Sequence, residues 1–83
     1  MSGREEFGRL LCDPLFRRGM FGSESVGYST KYKSIMLGGD LAPVEVILLA
    51  RERLEVSYGI AISTRTIYSS LKAFATSCST RGT

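Results

Sequence analysis

The chain has 83 residues and a formal charge of +3, from 11 Lys and Arg against 8 Asp and Glu, and 43% of it is apolar. This is one small domain with enough apolar residues for a core, which excludes wholesale disorder. A chain of this size buries only about 60–65% of its unfolded surface, so association into a homodimer is the default expectation.

Residues 1–21 read as a helical arm with a break. Phe7, Leu10, Leu11, Leu15 and Phe16 recur at helical spacing with charges on the opposite side. Asp13 is a good N-cap and Pro14 suits a first helical position, so a second short helix is expected to restart there and to loosen at Gly19 and Gly22. The apolar side of this arm packs on the core or docks on a partner.

Residues 22–39 read as loop and short strand. Tyr28, Thr30, Tyr32, Ser34 and Met36 share one parity, and Lys31, Lys33 and Ile35 the other. A single strand over 28–37 is expected, closed by Gly38-Gly39, with Lys31 and Lys33 facing outward. The turn "LGGD" is not expected to cradle an anion, because Asp40 would repel a phosphate. Asp40 instead reads as the N-cap of a central helix over 40–58, with Pro43 in its first turn. Val44, Ile47 and Leu48 make its first half apolar enough to place it in the middle of the domain.

Two readings fit the next stretch. Every even position from Leu54 to Tyr68 is apolar, β-branched or aromatic, the pattern of a hairpin turning near Ser57–Gly59. Against this, Ser63 is a good cap, and Ile67, Leu71, Phe74, Ala75 and Cys78 follow at helical spacing. A short extended piece at 60–62 followed by a C-terminal helix over 63–78 accommodates both, and "STRGT" at the end is expected to fray. The fold expected is α+β and mainly α: an N-terminal helix pair, a short β-ribbon, a central helix and a C-terminal helix in one domain spanning 1–83.

Catalysis has little to work with. The chain has no His, Trp, Asn or Gln, so any scheme needing a histidine base is excluded within it. Glu45 and Glu52 lie two turns apart on one helix face and read as a solvated stripe or as salt-bridge partners for arginine. Tyr68 and Lys72 are spaced like the catalytic pair of short-chain dehydrogenases, but the glycine-rich loop and full sheet of that family are missing. No enzyme activity, cofactor or metal site is expected. Cys12 and Cys78 are too few for a disulfide framework and are expected to be reduced and buried, as in a cytoplasmic protein. The N-terminus has no pattern of a secretory leader, and the longest apolar run, Val46 to Ala50, is short of the about 20 residues that span a bilayer.

Recognition remains. Residues 61–83 hold Arg65, Lys72 and Arg81 and no acid. The stretch "PVEVILLARERL…GIAISTRTIYSSLKAF", within 43–75, resembles helix-turn-helix regulators, in which a small-residue turn precedes a Ser-x-x-Thr-aromatic recognition helix. The resemblance implies binding of duplex DNA, with Ser63 as the cap and Thr64, Arg65 and Ser69 facing the major groove. Arg65 would then contact a guanine and Lys72 a phosphate, while Ile67, Leu71 and Phe74 pack inside. A ribbon-helix-helix variant would instead pair strand 28–37 across a dimer and direct Lys31 and Lys33 outward. The other class is a non-enzymatic adaptor, assembly subunit or inhibitor that binds a larger protein, for which 4 Phe, 4 Tyr and 3 Met supply the anchors that interfaces favour.

Overall fold

The computed structural model describes the backbone of residues 3–81 and the side chains of residues 3–77. In chain order it contains α1 (Gly3–Leu10), α2 (Pro14–Phe21), β1 (Val26–Ser29), β2 (Ser34–Leu37), β3 (Asp40–Leu41), α3 (Val44–Tyr58) and α4 (Thr64–Arg81). The fold is α+β and mainly helical, with one antiparallel sheet in the order β1-β2-β3. No helix among the described residues is long and apolar enough to cross a membrane.

The arm breaks where Asp13-Pro14 dictates. Asp13 accepts a hydrogen bond from the Leu15 amide at 2.9 Å, and Pro14 opens α2. Gly22 closes α2 in the left-handed region, φ 77°, its amide donating to the Arg18 carbonyl. Restarting the helix also resets its phase. Phe16, Met20 and Phe21 are buried, while Leu15, expected on the inner side, is 69% exposed. Phe7 is the buried hub of α1, with Phe16 and Phe21 edge-to-face around it at 6.3 and 6.5 Å between centroids.

The ribbon departs from the expected single strand. β1 and β2 form a hairpin that turns at residues 30–33, with Ser29 opposite Ser34 and Tyr28 opposite Ile35. Paired residues share a sheet face, so the core side is even-numbered on β1 (Val26, Tyr28) and odd-numbered on β2 (Ile35, Leu37). This change of parity is why no single alternation runs through 28–37. Lys31 and Lys33 therefore stand in the turn and not on a strand. The single strand 28–37 that a ribbon-helix-helix variant would pair across a dimer is replaced by this intrachain hairpin.

Gly38 and Gly39, at φ 63° and 94°, make a two-residue turn into β3. Positive φ at both central positions is what a tight hairpin with the native strand twist requires. Asp40 accordingly pairs with Leu37 in the sheet and does not cap α3. The N-cap of α3 is Pro43, which offers no side-chain hydrogen bond, so the helix starts later than 40. It is also less central than its composition suggests. Ile47, Ala50 and Leu54 are buried, but Val44, Leu48, Leu49 and Val56 face solvent. At its far end Arg53 donates to the Gly19 carbonyl at 2.8 Å, tying α3 to α2.

After Gly59, left-handed at φ 66°, residues 60–63 are neither helix nor strand and α4 begins at Thr64. Ser63 Oγ accepts from the Thr66 amide at 3.1 Å and bonds the Thr66 hydroxyl at 2.8 Å, the expected cap. There is no hairpin at 54–68, and the helix passes the expected end to reach Arg81. Ile67, Leu71 and Ala75 are buried, and α4 packs against α1, α3, β1 and β2. Cys12 is exposed rather than buried, with a free thiol; the side chain of Cys78 lies outside the described residues.

Removing the hub should show its weight. Phe7→Ala is expected to cost about 3–5 kcal/mol of unfolding free energy by denaturant titration. Ser63→Ala, which removes only a cap, should cost about 1 kcal/mol. Equal costs would contradict this account of the core.

Candidate nucleic-acid interface

Helical spacing divides α4 into faces. Ile67, Leu71 and Ala75 point into the core, whereas Arg65, Ser69 and Lys72, at i, i+4 and i+7, are exposed along one stripe. Thr64 departs from the expectation in part: it is half-buried and off this stripe.

The hairpin is seated beside the stripe by two contacts. The Tyr68 hydroxyl donates to the Lys33 carbonyl at 2.8 Å, and the Lys72 ammonium sits 4.8 Å from the centroid of the Tyr28 ring. The spacing of Tyr68 and Lys72 thus has a structural explanation, since each side chain engages the hairpin. Lys33 adopts the left-handed conformation, φ 51°, which directs the chain back into β2. At the tip the Tyr32 amide donates to Ser29 Oγ at 3.2 Å, and the Lys31 ammonium lies 5.4 Å from the Tyr32 ring centroid. Tyr32 is 58% exposed.

The consequence is electrostatic. Two segments free of acid, residues 25–39 and 56–83, are far apart in sequence and pack together as hairpin and helix. Lys31, Lys33, Arg65 and Lys72 are all exposed on this hairpin–helix unit, with the Ser69 hydroxyl and three tyrosines among them. The cations expected from sequence thus all lie on two elements that pack together, and only Thr64 is set aside. Tyr28, Tyr32 and Tyr68 were not among the expected site residues, although the interleaving of Tyr and Lys over 28–33 was a signal for them.

The acids lie elsewhere. Glu24 pairs with Arg18, whose neighbour Arg17 donates to the Glu24 and Leu11 carbonyls and lies against the Phe74 ring at 4.9 Å. These arginines staple α2 to its surroundings and are not part of the exposed stripe. The surface offers cations, hydroxyls and one exposed ring, which suits a polyanion. Comparison with protein-family models, curated proteins and solved structures finds no significant match.

The seating of the hairpin can be tested apart from any ligand. Tyr68→Phe keeps the ring and removes the hydrogen bond to Lys33, at a cost of at most about 1 kcal/mol. The amides of residues 30–34 should lose hydrogen-exchange protection while those of α3 keep theirs. Unchanged exchange at the tip would show that the hydroxyl does not hold it.

Proposed function

We propose that this chain is a small, non-enzymatic DNA-binding regulator that contacts duplex DNA through the outer stripe of α4 and the tip of the β1–β2 hairpin. The observation that supports this reading is the meeting of two acid-free segments, the hairpin that carries Lys31 and Lys33 packing on the helix that carries Arg65 and Lys72. The likeness of residues 43–75 to helix-turn-helix regulators supports it: α3 and α4 are joined by a short link and pack on each other.

The roles follow from position. A major groove about 12 Å wide admits one α-helix, and side chains near the helix N-terminus reach the base edges. Arg65 and Ser69 stand in the first turns of α4; Arg65 makes the bidentate contact to guanine, and Ser69 donates to a base or sugar. Lys72, further along the stripe, neutralises a backbone phosphate. Lys31 and Lys33 take phosphates beyond the groove edge, with Tyr32 against the sugar–phosphate surface. With no Asn or Gln in the chain, adenine is not read by the usual amide pair, so discrimination rests on guanine and on DNA shape. The free thiol of Cys12 suits a reducing cytoplasm.

Three phosphate contacts, by Lys72, Lys31 and Lys33, set the salt dependence. The slope of log K against log salt should be about −2.7, so affinity falls about 40-fold between about 50 and 200 mM salt. Lys72→Ala should lower affinity uniformly across sequences and reduce the slope by about one, while Arg65→Ala should cost about 1–3 kcal/mol and relax preference at one base pair. Arg65 is exposed, so Arg65→Ala should leave thermal unfolding nearly unchanged, whereas Lys72→Ala also loses the contact with the Tyr28 ring and should cost about 0.5–1 kcal/mol. Fluorescence anisotropy with labelled duplexes measures all of these, and salt-insensitive binding or none at about 50 mM salt would refute the reading.

A further inference from the structure

A second surface is built on α3 and shares no residue with the cationic one. Leu48 and Leu49, 45% and 46% exposed, line with Ile62 an open depression of about 550 Å³. Its other lining residues are Glu45, Glu52, Glu55 and one cation, Arg51. Val44 and Val56, 66% and 76% exposed, continue the apolar surface along the helix. Residues 45, 48, 52 and 55 follow at i, i+3, i+7 and i+10, one outward stripe on which Glu45, Glu52 and Glu55 flank Leu48, with Leu49 beside it. An ordinary solvated stripe is polar throughout. Four exposed aliphatic residues on one helix of a small domain are what a docking face looks like.

We infer that this face docks a cationic amphipathic helix of another protein, with apolar residues at i, i+3, i+4 and i+7 seated on Leu48, Leu49 and Ile62 and Lys or Arg on its flanks meeting Glu45, Glu52 and Glu55. Charge complementarity selects this occupant. A second copy of the chain fits badly. Two α3 faces packed antiparallel about Leu48 and Leu49 set Glu45 opposite the other copy's Glu52, and a parallel pair sets each glutamate opposite itself. Either way carboxylate meets carboxylate, which disfavours self-association through this face. The docking mode is the helix-in-groove one, in which a few apolar anchors carry affinity and the charged rim carries orientation.

The probe is a fluorescein-labelled peptide of leucine and lysine in helical spacing, about four turns long, beside oligolysine of equal charge and a leucine–glutamate peptide of the same pattern. The full chain is expected to bind the leucine–lysine peptide at least about tenfold tighter than oligolysine, the worth of one buried leucine, and any binding of the leucine–glutamate peptide is expected to be insensitive to the Leu48 and Leu49 substitutions. The double variant Leu48→Ser, Leu49→Ser should lose at least about tenfold. The triple variant Glu45→Gln, Glu52→Gln, Glu55→Gln leaves the apolar residues in place and should flatten the salt dependence. Arg65→Ala with Lys72→Ala should leave peptide binding unchanged, so the outcome is independent of DNA binding. Equal affinity for oligolysine, no loss in the Leu48/Leu49 variant, or a wild-type dimer in sedimentation that this variant makes monomeric would each overturn the proposal.

Discussion

The seat of the β1–β2 hairpin on α4 is the contact on which the exposed chemistry depends. An isolated two-stranded hairpin is marginal in water. Here Val26, Tyr28, Ile35 and Leu37 turn one face of the ribbon toward the core, and Ile35 is fully buried. The Tyr68 hydroxyl then fastens the turn itself, through the carbonyl of a residue held in the left-handed conformation. A flexible loop carrying Lys31 and Lys33 would offer an averaged cloud of charge. Anchored on α4, the backbone that carries the same lysines is held against the helix that carries Arg65 and Lys72, and a polyanion bound as proposed would meet a surface with less ordering left to do.

What could be read from the letters alone was local. Asp13-Pro14 and Ser63 act through hydrogen bonds a few residues away, so the starts of α2 and α4 were legible, as was the stripe of Arg65, Ser69 and Lys72 that helical spacing implies. What was hidden depended on distant partners. The parity of the ribbon changes across residues 30–33 because the chain turns there, and a strand read as continuous cannot show it. Asp40 has the chemistry of a cap, but the Gly38-Gly39 turn draws it into the sheet. The nearness of Lys33 to Tyr68 spans 35 positions, a tertiary fact that no window of sequence contains.

The central helix shows a different limit. Its apolar residues go nearly all the way round, so composition says that α3 wants cover without saying which side receives it. The neighbours decide. α2 and α4 pack on α3 and bury Ile47, Ala50 and Leu54, which leaves Leu48 and Leu49 outside. The charges of the chain are sorted along its length as well, with Asp40, Glu45, Glu52 and Glu55 in one stretch and none after it. Folding converts that linear sorting into a cationic face and a separate acidic, apolar one. A small protein with such a dipolar surface orients itself in the field of a charged partner before contact.

α4 backs the hairpin, α1 and α3 at once, and it is also the last of these elements to be made. Until residues 64–81 have been made, Phe7 and Ile35 lack the helix that packs on α1 and on the hairpin, while Phe16 already has Phe7 and Tyr58 beside it. Domains fold as units, so the core is complete only once α4 has joined it. A truncation ahead of α4 would uncover Phe7 and Ile35, and apolar surface left open in this way favours aggregation.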